Sequence, residues 1–219
     1  MKPKPLVIAH RANTRAQLED AAASGVDLVE LDVAPGLVVA HDPGEPGMPL
    51  GEALDLLAVR RVGIHVDVKR PGYEREVLAA IDERGLRRRV LVSTAYATVG
   101  RRVRSLAPEL PIAIGYPRDR YRLSRHEWPG ALTRPGAAAL RAAMPARIPL
   151  LLRLAHANVL ALHHTLCSRA AIAAAHRLGA PVLVWTVDDP AAAARFVAFG
   201  ADGIVADEPK KLLATLIAP

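Results

Sequence analysis

A single cysteine, Cys167, stands in 219 residues, which excludes an internal disulfide and a cysteine-based zinc site and fits a reducing compartment. Aromatic residues make up only 4% of the chain. With no recognisable nucleic-acid motif among them, DNA or RNA binding has little support. No apolar run reaches about 18 residues, the length a membrane-spanning helix needs. The opening MKPKPLVIAHR joins basic residues to an apolar run too brief for a signal peptide, so the expected location is cytoplasmic. Acidic residues are the minority charge, 22 against 29 Lys and Arg, a formal net charge of +7. The excess is largely arginine, in runs at 87–89, 101–104 and 117–125. Such runs usually decorate solvated helix faces; the alternative is attraction for anionic substrates or membrane surfaces.

What the chain has is ample material for a core. Hydrophobic residues make up 51% and charged residues 23%, an ordinary globular balance that speaks against disorder. At this length a single domain over residues 1–219 is expected. Apolar period and breakers alternate short strands with amphipathic helices. PLVIAH is followed by a helix over about 15–24 and then by DLVELDV. After a return arm at 37–41 and a helix near 50–60 comes RVGIHVDVK. Helix 72–85, strand RVLVST, helix 97–107 and strand LPIAIGY continue the series. Residues 117–157 read as irregular loop and helical cover, broken by Pro129, Pro135, Pro145 and Pro149, with an alanine-rich helix near 136–143. NVLALHH, helix 168–178, PVLVWTV, helix 190–199, DGIVAD and a helix from about 210 complete the chain. The series reaches eight strands with the 37–41 arm set aside and one strand merged or hidden near 148–153. Eight strand-helix units predict an α/β fold, a small (β/α)8 TIM barrel with shortened loops and with chemistry at the carboxyl ends of its strands. An open doubly wound sheet is the alternative, but no glycine-rich dinucleotide fingerprint follows the first strand.

The chemistry concentrates in residues 27–42, DLVELDVAPGLVVAHD. Residues two apart on a strand share a face, so Glu30 and Asp32 stand side by side. Two adjoining acids at the end of an apolar strand require positive charge between them: a lysine, an arginine or a divalent cation. After Pro35-Gly36 the chain returns with His41 and Asp42, and a histidine beside a cation site is a candidate for proton transfer, its tautomer held by the neighbouring Asp42. In RVGIHVDVK, His65, Asp67 and Lys69 share the face opposite Ile64, Val66 and Val68. His10, His163 or His164, Trp185 and Asp207 also lie at strand ends.

These residues resemble the glycerophosphodiester phosphodiesterase family. Its His-Arg pair appears as His10-Arg11, its Glu-Leu-Asp as residues 30–32, and its His-Asp as His41-Asp42. Val66-Asp67-Val68-Lys69 is similar to the family's later Ile-Glu-Ile-Lys strand. Trp185-Thr186-Val187 and residues 200–209 are similar to its late Trp-Thr-Val and Gly-x-Asp-Gly-Ile-x-x-Asp-x-Pro. The resemblance implies a TIM barrel that hydrolyses glycerophosphodiesters to glycerol 3-phosphate and an alcohol with a divalent cation, Mg2+ or Ca2+ or else Mn2+. It places the metal ligands at Glu30, Asp32 and Asp67 and the paired acid-base histidines at His10 and His41. Arg11 and Lys69 would hold the phosphate and its developing charge; Trp185 and His163 would line the substrate pocket. The chain departs from the pattern in carrying aspartate at 67 and in running from His10-Arg11 directly into Ala12-Asn13-Thr14, without the usual longer loop and its glutamate.

Other readings stay open at this point. Glu30 and Asp32 would also be neutralised by salt bridges to Arg11 and Lys69 with no metal. His65, one step deeper than Asp67, suits a structural hydrogen bond. Asp202 and Asp207 suit turn caps, and His126, His156 and His176 suit the surface. Two competing functions are a phospholipase D-like lipid phosphodiesterase, whose relatives are typically secreted with disulfides, and a non-catalytic phosphodiester-binding barrel. Arg118, Arg120 and Arg122 could select an anionic head group.

Overall fold

The computed structural model of the protein describes residues 4–42, 44–118 and 130–216. Arg120, Arg122 and His126 therefore lie outside the described residues. The strands are β1 (Leu6–Ala9), β2 (Leu28–Ala34), β3 (Val38–Val39), β4 (Met48–Pro49), β5 (Gly63–Val68), β6 (Val90–Thr94), β7 (Ile112–Tyr116), β8 (Val159–His163), β9 (Val182–Trp185) and β10 (Gly203–Ala206). The α-helices are α1 (Arg15–Ala23), α2 (Leu50–Ala58), α3 (Glu74–Asp82), α4 (Ala97–Leu106), α5 (Gly130–Ala155), α6 (Arg169–His176), α7 (Pro190–Phe199) and α8 (Pro209–Leu216).

Valine, isoleucine and leucine dominate the strands because each is covered on both faces, as a parallel sheet flanked by helices requires. β1 pairs in parallel with both β2 and β10, which closes the sheet. Around the barrel the order is β1, β2, β5, β6, β7, β8, β9, β10, a TIM barrel of eight parallel strands. β3 and β4 form an antiparallel extension on β2, with Val33 opposite Val39 and Val38 opposite Pro49. Helix ends follow local chemistry: Thr14 and Gln17 form a capping box on α1, and Asp189 caps α7 ahead of Pro190.

Alternation along each strand separates two cores. Ile64, Val66 and Val68 face the helices and join one large cluster. Ile8, Leu91, Ala113, Val159, Ala161, Leu183 and Val205 fill the barrel interior instead. Two residues further along, the interior face turns polar: Ile8 gives way to His10, Leu91 to Ser93 and Val205 to Asp207. An apolar plug thus closes the barrel beneath a polar upper layer, and the site sits at the carboxyl ends of the strands.

Two expectations are corrected. The eight strands are complete without residues 148–153, which lie inside α5, and the alanine-rich helix expected near 136–143 extends to 26 residues. Met144, Ile148 and Leu152, four apart and buried, form the stripe that holds the helix against its neighbours. Burying each contributes about 1.5–3 kcal/mol, which offsets the cost of about 3 kcal/mol for an interior proline at Pro145 and Pro149. The arginine runs are also more than solvated decoration. Arg89 donates to the carbonyls of Leu57, Ala58 and Val62, capping the end of α2. Arg101 and Arg104 donate to Leu154 and His156 carbonyls, tying α4 to the end of α5.

At the same junction Gly100 in α4 meets α5 so closely that a Cβ would lie 2.4 Å from the Ala155 carbonyl oxygen. Gly100→Ala is expected to lower stability by about 1–3 kcal/mol, the cost of overpacking against backbone, despite alanine's better helix propensity. Urea unfolding checks this: an unchanged midpoint would show that α4 and α5 separate freely.

Cys167 is buried, and burial pushes its thiol up to about 12, which makes it inert core. Among the described residues no helix is long and apolar enough to cross a membrane.

Candidate active site

The first βα turn builds the site from backbone outward. Arg11 adopts a left-handed conformation, φ +52°, which doubles the chain back over the end of β2. Its N–H donates to Glu30 Oε2 at 2.5 Å, and the Ala12 N–H donates to the Glu30 carbonyl. Asn13 then clamps Asp32 from two directions, with Oδ1 accepting from the Asp32 N–H at 2.9 Å and Nδ2 donating to Oδ2 at 3.0 Å. Thr14 opens α1 immediately. Asn13 was absent from the candidates because asparagine before a helix cap reads as a turn residue; its role depends on β1 lying beside β2.

Both histidines are held at Nδ1 by a carboxylate. His10 Nδ1–H donates to Asp207 Oδ1 at 2.7 Å, with Thr186 Oγ1 at 3.4 Å. The β2–β3 extension carries His41 back so that its Nδ1–H donates to Asp32 Oδ2 at 2.8 Å. Asp32, and not the neighbouring Asp42, therefore orients His41, and Asp207 serves His10. The tautomer is set by an ionised acceptor in each case, which leaves Nε2 for proton transfer. The Arg11 guanidinium reaches across, with Nη2 3.4 Å from His41 Nε2 and Nε 3.8 Å from Asp32 Oδ2.

Glu30, Asp32 and Asp67 each offer an oxygen within 4.8 Å of the others. Lys69 Nζ stands between two of them, 2.6 Å from Asp67 Oδ2 and against Asp32 Oδ1. Ser93 donates to the other Asp67 oxygen at 2.6 Å. Burial alone would raise the Asp32 carboxyl, but Lys69, helped by His41 and Asn13, holds it far below the usual carboxylate range. Burial likewise works against Asp67, and Lys69 overcomes it. Lys69 itself would be discharged by burial, and Asp67, Asp32 and Glu30 keep it protonated instead. Glu30 goes the other way: burial, then repulsion from Asp32, raises it well above an ordinary glutamate.

Three carboxyls, two buried and Asp67 half-buried, thus crowd around one ammonium. Among the described residues, Asp32 Oδ1 is buried without a geometrically aligned hydrogen bond, with the Lys69 ammonium against it. This all-oxygen donor set fits a hard divalent cation, so Glu30, Asp32 and Asp67 could hold one.

His10, Arg11, Glu30, His41, Asp67 and Lys69 line a pocket of about 260 Å³ that also reaches Trp185, Tyr96 and Arg118, with Asp32 buried behind them. His65 forms part of its floor. It is buried, and among the described residues neither ring nitrogen has a hydrogen-bond partner, contrary to the structural bond expected for it. Burial lowers its pKa to about 4, so the ring is neutral. Trp185 lines the wall, whereas His163 stands behind it, its ring edge-on at 4.9 Å, and is not among the lining residues. Asp202 accepts from the Val182 N–H and bonds His176, well away from the pocket.

Comparison with known proteins follows the same lines. Residues 60–211 match the model of the glycerophosphoryl diester phosphodiesterase family. That span includes Asp67, Lys69 and Trp185 but begins after His10, Glu30, Asp32 and His41. No curated protein matches the sequence. Among solved structures, the chain is similar to a glycerophosphoryl diester phosphodiesterase so described from Agrobacterium tumefaciens, at 16% identity, TM-score 0.77, covering 97% of each chain. It is similar to a glycerophosphodiester phosphodiesterase from Parabacteroides distasonis at 18% identity and TM-score 0.75, covering 99% of this chain and 98% of that one. An Oleispira antarctica phosphodiesterase in complex with the product sn-glycerol-3-phosphate matches at 20% identity and TM-score 0.69, covering 98% of each. At these identities the structures show the shared fold.

Proposed function

The chain belongs to the glycerophosphoryl diester phosphodiesterase family, and from that premise we propose that it hydrolyses glycerophosphodiesters to glycerol 3-phosphate and an alcohol, with a divalent cation on Glu30, Asp32 and Asp67 and with His10 and His41 transferring protons. The observation that carries this reading is the pair of imidazoles, each held at Nδ1 by a carboxylate, on either side of an acidic cluster in one pocket. A binding protein needs no such pair. The glycerol 3-phosphate in the Oleispira neighbour is the product this reaction would release.

A cation bound by the three acids would polarise a phosphoryl oxygen and offset charge developing on the phosphate. Around it, Arg11 and Lys69 present donors to the non-bridging oxygens. One histidine accepts at Nε2 the proton of the attacking hydroxyl, the glycerol's own 2-hydroxyl, while the other donates a proton to the oxygen of the departing alcohol; water then opens the cyclic phosphate with the two roles reversed. Over the full reaction the phosphorus–oxygen bond to the alcohol breaks, one to an oxygen from water forms, and both histidines return to their starting states. Trp185 closes one wall beside the glycerol.

The test is release of glycerol 3-phosphate from a panel of glycerophosphodiesters with magnesium, calcium, manganese or EDTA. Release that requires a divalent ion and stops in EDTA is expected. No release from any diester by a folded protein that binds the ion would sink the reading in favour of a binding barrel. A second, metal-free reading rests on Lys69, whose ammonium stands between Asp32 and Asp67; full activity in EDTA would establish it.

A further inference from the structure

The pocket has a second charged region that the phosphodiester reaction does not use. Arg70, Tyr96 and Arg118 follow β5, β6 and β7, so three consecutive loops deliver them to one arc of the pocket rim. The Arg118 guanidinium lies over the Tyr96 ring, its carbon 3.9 Å from the centroid. Arg70 donates to the Tyr96 hydroxyl, with its guanidinium carbon 5.7 Å from the same centroid. Tyr96 thereby contacts both guanidiniums. Such contacts fix direction without neutralising charge, and among the described residues neither arginine has a carboxylate partner. The acids lining the pocket are Glu30, Asp42 and Asp67.

We propose that Arg70, Tyr96 and Arg118 form a head-group subsite that selects glycerophosphodiesters whose alcohol carries a second phosphate. This rests on the reaction proposed above, which puts the scissile phosphate among His10, His41 and the acids and sends the head group along the same pocket to the rim. A phosphate monoester matches the arc in charge, with two guanidiniums for one dianion, and in shape, because each planar fork can donate two parallel hydrogen bonds. A quaternary ammonium head group meets the opposite conditions. It is repelled by both cations, and the Tyr96 ring, which would otherwise attract it, already carries Arg118. The excess of basic residues over the whole chain steers polyanions in the same sense.

The experiment compares kcat/KM for glycerophosphoinositol 4-phosphate, glycerophosphoglycerol and glycerophosphocholine, using the native protein and an Arg70→Gln/Arg118→Gln double variant at low and high salt. In the native protein the phosphorylated substrate should exceed glycerophosphoglycerol by about tenfold or more, as two charge-assisted contacts at an exposed rim allow, and glycerophosphocholine should be poorest. The ratio should approach one in the double variant and shrink with salt. A native ratio near one, a preference for choline, or a ratio that survives the double substitution would overturn the subsite while leaving the reaction intact. If no diester is hydrolysed, the reaction fails, and calorimetric binding decides the subsite separately. Tighter binding of glycerophosphoinositol 4-phosphate than of glycerophosphoinositol, lost on Arg70→Gln/Arg118→Gln, upholds it; equal affinities refute it.

Discussion

Asp32→Asn is expected to lower kcat/KM for glycerol 3-phosphate release by about a thousandfold to ten-thousandfold, near the top of the range for losing a general acid–base group, in a protein that remains folded. The substitution keeps size and can keep the clamp from Asn13, but it removes the charge on which three interactions converge. His41 loses the anion that fixes its Nδ1–H tautomer and stabilises its imidazolium. Lys69 loses one of its two carboxylates, and the acidic cluster loses one of three donors. Fold retention follows from the same geometry, because Lys69 keeps Asp67 at 2.6 Å while repulsion on Glu30 is relieved. The check is kcat/KM over a titration of magnesium or calcium, with a cooperative thermal melt as the control for folding. Recovery of full activity at high metal would confine Asp32 to metal affinity. A loss of only a few-fold throughout would remove it from both roles.

His10→Ala and His41→Ala should each cost about a hundredfold to ten-thousandfold in kcat, the usual contribution of a positioned proton-transfer group. The two can be told apart by the leaving group. With glycerophospho-p-nitrophenol the departing phenolate needs no proton, so the variant lacking the general acid should regain most of its loss. The variant lacking the base should stay equally impaired on both substrates. Equal losses for both variants on both substrates would end the division into acid and base. Asp207→Asn should cost far less than His10→Ala, because the Asp207 side chain is 55% exposed and water screens its contribution. It acts by positioning His10, so its signature is a displaced pH–rate profile and not a loss of substrate binding.

The fold was legible because its signals are local. Strands such as GIHVDV carry alternation in adjacent residues, and helix stops such as Gly200 at φ +106° announce themselves by residue type. Of the 26-residue α5, only the alanine-rich stretch near 136–143 was legible. Pro135, Pro145 and Pro149 are local breakers, whereas the burial of Met144, Ile148 and Leu152 that overrides them depends on neighbours distant in the chain. The same distinction runs through the site. Glu30 with Asp32, and Asp67 with Lys69, could be grouped from spacing because a strand puts residues two apart on one face. Asn13 on Asp32, Asp207 on His10, and Asp32 in place of Asp42 on His41 could not, since each joins elements 9 to 197 residues apart.

By itself, then, the sequence determined the eight strand-helix units and which acids and histidines would stand at the strand ends. All of these follow from periodicity and residue chemistry within a single element. Only the tertiary structure decided which carboxylate holds which imidazole, that Lys69 stands between Asp32 and Asp67, that His65 is left without a hydrogen-bond partner among the described residues, and that Arg118 lies on Tyr96. Closing the barrel brings ends of different strands within a few ångströms, and pairings at that range are set by the register of β1 against β2 and β10, which no local pattern encodes.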